Sequence, residues 1–546
     1  LPAGTERRFL EIPVAARGDS ISIELLSGDA VTANARVYIT PPKQWRVYDV
    51  QVSHHDLGYA DYYHFMRRDV REMGIEMALE YCRRTDDWEP EARFRWTVET
   101  SEPMTRFISA QPESVIADLT RRVKEGRIEL GGLHNSVSTE MMGHELMARL
   151  FYTPNRHIVD LLHVPPSRTA LITDVVGLSR GLPLFLKEAD IPYFYHGYNE
   201  TVNGLFPASA NPVFYWKAAD GDQAMPLFRS FPYYSPDRLT KYDVAELAKL
   251  TMKYDADSSW TYRCLAAEDS YDFSVPHFEN VEGIRAWNRQ YANPVLISGT
   301  FTMFFDDIRA QADTARIPVF DKDAPNAWAD QDGADARLLG DARRLNFDLP
   351  TAEKLATVAF ASGGKGYPWQ ELWEGYHKLL SYHEHTNGAF SEEDVLPVPL
   401  LKDRKAANAN YYEAEQVMHK RLVGEGREFA DRARDHGITS LRSLIAAPYD
   451  RTIVVFNPLS WTRTDMVKLD MPAGAQWSVV DNITGSAVPS QRMPDGTLLF
   501  RASDVPGIGY RTFRLVRGTA SAREPASPRA DGHVLENEFY RIVFDT

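Results

Sequence analysis

Two residues at the end of an apolar run have the types and the spacing of metal ligands. His54 and Asp56 follow a strand-like segment that ends near Val52. Residues i and i+2 of an extended chain share one face, so this imidazole and carboxylate could bind one divalent cation. The alternative is a strand end whose polar side chains meet water, because short His/Asp patterns are common by chance. The pair is the leading candidate for a functional site.

Further acidic residues stand directly after other strand-like runs, and they are Glu99, Asp174, Glu268 and Asp269. In parallel α/β folds, ligand sites lie beyond the carboxyl ends of the strands. The same rule therefore predicts that these four residues lie at one rim with the first pair. For Asp174 the alternative is a helix N-cap. For the acidic segment that ends at Asp272, the alternative is an exposed loop.

A third candidate group lies far along the chain, at the end of a helix-like segment. It reads Tyr382-His383-Glu384-His385-Thr386-Asn387-Gly388. Two histidines two residues apart, beside a glycine, are well placed to reach a neighbouring cleft. A lone buried histidine is usually structural, whereas a His-Glu-His cluster favours a functional role.

These side chains need a fold that alternates strands and helices. Strand-like runs between about 46 and 297 are separated by stretches of helical periodicity, which predicts βαβ units and a mainly parallel sheet, open or closed into a barrel. Strand signals vanish after about 318, where the composition predicts a helical bundle. From Thr452 onward, short strands between Gly and Pro predict an all-β domain. The fold class is therefore α/β plus all-β, with an N-terminal β segment (1–44), an α/β domain (45–317), a helical bundle (318–446) and a β domain (447–546).

Composition limits the classes of ligand and partner. The chain has 546 residues, of which 61 are basic and 76 acidic, and its formal net charge is −15. This balance argues against nucleic acid or an anionic membrane as the main partner and favours a neutral or weakly charged ligand. No apolar stretch approaches the ~20 residues that span a bilayer, so we expect no membrane span. Because the chain has only two cysteines, any metal must be bound by His and carboxylates.

The first residues of the chain favour an exported protein, and its last residues favour a longer natural chain. The first residues, Leu-Pro-Ala-Gly, lack a Met, which suits signal cleavage and a periplasmic or secreted protein. A trimmed cytoplasmic protein is equally compatible with this start. A strand begins at Glu538 after the linker 518–532, so we expect that the natural chain extends beyond Thr546 or that the remainder is a separate fragment. A homo-oligomer is also compatible with the sequence.

The order of these motifs resembles that of glycoside hydrolase family 38, the zinc-dependent retaining α-mannosidases. The chain presents His54-x-Asp56-x-Gly58-Tyr59, then Asp174 in Thr-Asp-Val-Val-Gly-Leu-Ser, then His383 before Gly388, and finally Val455-Phe456-Asn457-Pro458. The resemblance covers roughly residues 45–546 and is closest to a divergent bacterial branch. It implies a seven-stranded β/α barrel, a three-helix bundle and a C-terminal β-sandwich.

The resemblance also implies a metal site with one zinc ion (Zn2+) per chain. Three ligands would be His54, Asp56 and Asp174, and the fourth would be a histidine of the His-Glu-His motif. The spacing of that motif favours His383, and His385 is the alternative. Cobalt, manganese or calcium would also be compatible with His and Asp ligands.

Catalytic and substrate-binding roles follow from the same resemblance. Asp174 would be the nucleophile as well as a ligand, and Asp269 would be the acid/base residue, with Asp272 in reserve. Tyr59, Glu384 and Asp272 are the candidate substrate contacts. Tyr59 stands where the family usually has a Trp platform, and Glu384 stands where Asp is common. These departures leave the sugar open: mannose, another α-linked sugar, or a glycan that contains uronic acid.

Two other functions stay open at this point. The same metal, with the many His and Tyr side chains, could serve a polysaccharide lyase or a deacetylase. A non-catalytic glycan-binding protein on a decayed enzyme scaffold would bind glycans without turnover. All of these functions make a carbohydrate the expected partner.

Overall fold

The computed structural model divides the chain into two compact units. It describes residues 20–38, 43–57, 71–199, 213–218, 227–232, 237–272, 274–311, 316–324, 335–386, 404–447, 449–471, 476–518, 529–537 and 539–545. The first unit comprises Leu1–Phe347 and Glu374–Glu428, and the second comprises Asp348–Trp373 and Phe429–Thr546.

The first unit begins with an antiparallel hairpin of β1 (Ser20–Ser27) and β2 (Ala30–Tyr38). Two larger sheets follow. The strands of the first are β3 (Arg46–His54), β4 (Trp96–Val98), β5 (Ile128–Leu130), β10 (Cys264–Asp272) and β11 (Val295–Ser298). The strands of the second are β6 (Thr169–Asp174), β7 (Tyr193–Tyr198), β8 (Val213–Trp216), β9 (Leu227–Pro232) and β12 (Val319–Phe320).

Both larger sheets consist mainly of parallel pairs. The first sheet has the order β10-β3-β4-β5, and β11 also pairs with β3; the second has the order β12-β8-β9-β7-β6. Only β8 and β9 pair in antiparallel fashion among the described strands of these two sheets. The backbone N–H of Gly132, just after β5, donates to the carbonyl oxygen of Thr169 at 3.0 Å, so the two sheets meet there. The mixed α/β organisation is confirmed, and closure into a seven-stranded barrel stays a prediction.

Helices alternate with these strands along the chain. Their bounds are α1 (Arg71–Arg84), α2 (Glu102–Ala110), α3 (Glu113–Lys124), α4 (His144–Tyr152), α5 (Val159–Leu162), α6 (Leu182–Glu188), α7 (Val244–Ala256), α8 (Phe278–Gln290) and α9 (Phe301–Gln311). A 3-10 helix (Thr139–Met141) and a π-helix (Thr153–Ile158) flank α4. Because helices and neighbouring strands cover both faces of a parallel sheet, central strands become apolar throughout. Val47, Val50 and Val52 of β3 are accordingly fully buried.

Three long helices contribute residues to both units. They are α10 (Ala336–Ala361), α11 (Trp369–Tyr382) and α12 (Arg404–Leu444). In the second unit they pack around the small buried side chains of Ala352 and Ala433 together with Leu372. The first of them, α10, runs through Pro350 without a break.

Antiparallel strands form the rest of the second unit. They are β13 (Thr452–Asn457), β14 (Arg463–Leu469), β15 (Trp477–Asp481), β16 (Ala487–Val488), β17 (Ser490–Arg492), β18 (Leu498–Val505), β19 (Gly509–Arg517), β20 (Arg529–Asp531), β21 (Val534–Glu536) and β22 (Arg541–Val543). The sheets β13-β19-β15-β16 and β14-β18-β17 share one core, in which Val479, Phe500 and Phe513 are buried. No helix in the described parts of the chain has the length and apolar character that crossing a bilayer requires.

Candidate metal centre and active site

Two parallel strands carry the first candidate ligands at their carboxyl ends. β3 ends at His54, two residues before Asp56, and β6 ends at Asp174. The apolar side chains that precede them are buried, and this burial anchors the two strand ends. Asp174 has a φ of 67°, in the left-handed region, which Asp adopts more readily than most residues. The extended backbone of β6 therefore ends at Asp174.

The fourth candidate ligand comes from the turn after α11. The backbone N–H of His383 still donates to a carbonyl of the last helical turn, at 3.1 Å. One residue later Glu384 pairs with Val137, and the N–H of His385 donates to the carbonyl oxygen of Ser136 at 3.0 Å. These contacts bring His385, rather than His383, to the other ligands. The geometry thus differs from the assignment that the motif spacing favoured and agrees with its alternative.

His54, Asp56, Asp174 and His385 form one compact group, which we call the ligand cluster. One donor atom from each lies within 4.8 Å of the others. His54 Nε2 is 2.9 Å from Asp56 Oδ1 and 3.9 Å from Asp174 Oδ2, and His385 Nε2 is 3.2 and 3.4 Å from the same oxygens. Ligands about 2.1 Å from a tetrahedral zinc ion are roughly 3.4 Å apart. The spacing and the two-nitrogen, two-oxygen donor set therefore fit a divalent metal ion.

One side of the ligand cluster is open. The side chains of His54, Asp56 and His385 are at most 2% exposed, whereas that of Asp174 is 17% exposed. A ligand that approaches the cluster would therefore meet Asp174 first. The other oxygen of this carboxylate, Oδ1, accepts a hydrogen bond from Asn199 Nδ2 at 2.5 Å.

Buried carboxylates orient both histidines through their second ring nitrogens. His54 Nδ1 lies 3.0 Å from Glu99 Oε1 and 2.6 Å from Thr173 Oγ1. His385 Nδ1 lies 2.5 Å from Glu384 Oε1. Such pairs fix the ring so that Nε2 presents its lone pair to a metal. Glu384 is 3% exposed, and its role as a substrate contact stays a prediction.

The charges in the ligand cluster shift its pKa values strongly. Burial alone would lower the pKa of His54, but Glu99 and Asp56 outweigh it and raise that pKa well above the usual value. Burial likewise opposes a charged His385, yet Glu384 and the cluster carboxylates raise its pKa. Burial would raise the pKa of Asp56, and the two imidazoles lower it instead. The carboxylates of the site thus stabilise positive charge. A divalent cation would supply this charge in place of the two protons.

A close backbone approach holds Glu99 in place. A Cβ added to Gly131 would lie 1.8 Å from the carbonyl oxygen of Glu99, so only glycine fits there. The Glu99 carboxylate then accepts hydrogen bonds from Ser136 Oγ at 3.0 Å and from the Thr173 N–H at 3.2 Å. In the sequence, Glu99 stands out only as a strand end. Nothing in the sequence marks Ser136, Thr173 or Asn199, because single polar residues form no pattern.

Asp269 lies apart from the ligand cluster. In β10 it pairs with Gln51, three residues before His54 on β3, and an odd separation along a strand means the opposite face. Its carboxylate contacts His277 Nδ1 at 2.7 Å and Arg238 Nε at 2.9 Å. Burial would raise the pKa of Asp269, but His277 and Arg238 lower it below the usual range. This environment is opposite to the one that the predicted acid/base role requires.

Three candidate residues remain. Asp272 is the last residue of β10, and its backbone pairs with His54. Glu268 is buried and forms an ion pair with Arg229 and a hydrogen bond with Tyr195, which indicates a structural role. Tyr59 lies outside the described residues.

Comparisons with known proteins bear on the family and the fold of this chain. Residues 44–331, more than half of the chain, match the sequence profile of the glycosyl hydrolases family 38 N-terminal domain. Among solved structures, an α-mannosidase from Enterococcus faecalis V583 superposes with a TM-score of 0.70 at 15% identity, over 92% of this chain and 60% of that one. A family 38 protein from Enterococcus faecalis gives a TM-score of 0.65 at 15% identity, over 92% and 58%.

The chain thus spans less than two thirds of the length of these two solved proteins. A comparison with curated protein sequences found no match. The match over more than half of the chain confirms the resemblance that the motif order indicated. The chain belongs to glycoside hydrolase family 38.

Proposed function

We propose that this protein is a zinc-dependent retaining glycosidase that acts on α-linked glycans and resembles an α-mannosidase. The proposal rests on Asp174, whose carboxylate both belongs to the ligand cluster and faces its open side. One carboxylate oxygen belongs to the ligand cluster, and the carboxylate is the most exposed member of that cluster. A nucleophile in a retaining glycosidase must reach the anomeric carbon while it stays ionised. Family membership supports the reaction class, and the α-mannosidase among the structural neighbours supports the substrate class.

His54, Asp56, Asp174 and His385 would hold the metal, with Glu99 and Glu384 orienting the two imidazoles. A bound zinc ion would favour the ionised form of Asp174 and could bind vicinal sugar hydroxyls, such as the cis pair of mannose. The buried ligand shell excludes water from all sides of the carboxylate except the open one. Asp174 would therefore attack from a fixed position, which lowers the entropic part of the barrier.

The acid/base residue in this proposal is Asp272 rather than Asp269. A general acid must carry its proton until the leaving oxygen takes it. Asp269 is held ionised by His277 and Arg238 on the face opposite to His54, so it is unsuited to this step. The backbone of Asp272 pairs with His54, at the strand end where the ligand cluster lies. The two carboxyl groups of a retaining enzyme are about 5–5.5 Å apart, so the proposal requires this separation between Asp272 and Asp174.

The first test is the metal content of the wild type beside His54→Ala, with hydrolysis of an aryl α-mannoside assayed on the same samples. We expect about one zinc ion per chain in the wild type and the loss of both metal and hydrolysis in the variant. Proton NMR of the first product should show the α-anomer. A wild type without metal would overturn the mechanism. On acetylated or uronic-acid-containing glycans, released acetate would instead indicate a deacetylase, and an unsaturated sugar would indicate a lyase.

A further inference from the structure

The two oxygens of the Asp174 carboxylate have different surroundings. Oδ2 faces His54 Nε2 at 3.9 Å and His385 Nε2 at 3.4 Å, so it belongs to the metal side. Oδ1 accepts the hydrogen bond of Asn199 Nδ2 at 2.5 Å. If Oδ2 binds the metal, Oδ1 is the oxygen left to attack the sugar.

Strand pairing brings Asn199 to this oxygen. β6 and β7 run parallel, and their last paired residues are Asp174 and Tyr198. Asn199 is the next residue, so the amide emerges beside the carboxylate at the same edge of the sheet. Like Asp174, Asn199 is partly exposed, and the pair lies on the open side of the ligand cluster.

The hydrogen bond leaves Oδ1 free to react. A carboxylate oxygen has two lone-pair sites, and the Asn199 N–H occupies one of them. The second can form a bond to the anomeric carbon. An N–H donor also binds a charged carboxylate oxygen about twice as strongly as it binds a neutral acceptor such as an ester oxygen. The bond should therefore strengthen when negative charge returns to Oδ1.

We propose that Asn199 fixes Oδ1 as the attacking atom and promotes its departure when the covalent intermediate is hydrolysed. This inference rests on the proposed role of Asp174 as nucleophile. In the first half-reaction the bond from Oδ1 to C1 forms, the glycosidic bond breaks, and the acid/base carboxyl gives its proton to the leaving oxygen. In the second, water bonds to C1, the C1–Oδ1 electron pair returns to Oδ1, and the acid/base carboxylate takes the water proton. Asn199 stabilises the charge that appears on Oδ1 in this second step.

The test uses an activated substrate, 2,4-dinitrophenyl α-mannoside, whose first half-reaction is fast. For Asn199→Ala we expect kcat to fall about tenfold to hundredfold, the range for a lost hydrogen bond to a charged group. We expect kcat/KM, which reports the first half-reaction, to change less than threefold. Intact mass spectrometry after acid quench should show a chain that carries one hexosyl unit. Asn199→Asp, which removes the donor and adds a like charge, should lower kcat further.

Metal content separates this role from a structural one. Asn199→Ala should keep the zinc content of the wild type, as should the control Asn288→Ala, whose amide pairs with Leu296 away from the ligand cluster. The inference is overturned if Asn199→Ala loses metal, if kcat and kcat/KM fall together without a glycosylated chain, or if neither changes. If the wild type contained no metal and did not hydrolyse the substrate, the proposed function itself would be overturned, and this inference with it.

Discussion

The contact between Glu99 and His54 gives a prediction whose size follows from the structure. Glu99 is fully buried, and its carboxylate contacts His54 Nδ1 at 3.0 and 3.2 Å. It also accepts hydrogen bonds from the His55 N–H at 2.9 Å, from Ser136 Oγ at 3.0 Å and from the Thr173 N–H at 3.2 Å. Glu99→Gln keeps the shape but removes the charge that makes His54 a strong ligand. Outer-shell changes of this kind lower metal affinity about 10- to 100-fold, or about 1.4–2.7 kcal/mol.

The same variant should also destabilise the apo protein. Both oxygens of Glu99 face donors, so either orientation of a glutamine amide sets an NH2 group against a donor. Glu129→Gln is a matched control, because its oxygens accept from the backbone N–H groups of Phe301 at 3.1 Å and Thr302 at 2.9 Å and contact no histidine of the ligand cluster. Each variant should lose about 1–3 kcal/mol of unfolding free energy. Only Glu99→Gln should lose zinc affinity.

Competition with a chromophoric chelator at fixed neutral pH would measure zinc affinity in the wild type and both variants. Urea unfolding in the presence of excess chelator would measure the apo stability separately. The role of Glu99 in supporting His54 is refuted if Glu99→Gln binds zinc within about twofold of the wild type, since outer-shell support of a ligand predicts a larger loss. It is also refuted if Glu129→Gln loses affinity to the same extent.

Three further predictions concern other parts of the first unit. His385→Ala should lose the metal, whereas His383→Ala should retain it. The reverse result by metal analysis would show that His383 is the fourth ligand, as the motif spacing favoured. Burial and a neighbouring carboxylate raise the pKa of Asp49 from 3.8 to about 7, so its folded form should lose about 4 kcal/mol of stability as pH rises from about 4 to 7. Asp49→Asn should flatten this decline in urea unfolding at pH 5 and 8, and an unchanged pH dependence would count against the buried carboxyl. Gly131→Ala should cost about 3 kcal/mol or more because its Cβ meets backbone, whereas Gly340→Ala, on an open helix surface, should be neutral or stabilising in thermal unfolding.

The strand ends of the site could be predicted from the sequence because an apolar run stops at each of them. His54 and Asp174 each follow an apolar run, and the boundary between apolar and polar residues is the strand end itself. The mixed α/β organisation followed from the same alternation. The face of Asp269 could not be predicted, because it depends on the register between β10 and β3. A shift of one residue in that register would exchange the two faces.

The choice between His383 and His385 depends on contacts that the local sequence does not contain. Both residues follow the same helix, and both are buried. Their roles differ because Glu384 and His385 bond to the segment of Ser136 and Val137, which lies far away in the chain. For the same reason the carboxylates that orient the histidines could not be assigned in advance. Local patterns predict the ends of elements, whereas partners across the fold require the three-dimensional structure.

The ligand cluster draws on three distant segments of the chain, which contribute Asp56, Asp174 and His385. A metal ion that binds all three would close two long loops at once, much as a covalent cross-link does. Because the cation would bind the folded chain far better than the unfolded one, every tenfold rise in free metal above the dissociation constant would add about 1.4 kcal/mol to the unfolding free energy. The melting temperature of the first unit would then depend on the free metal concentration around the protein. Scarce metal would destabilise the folded chain as well as inactivate the site.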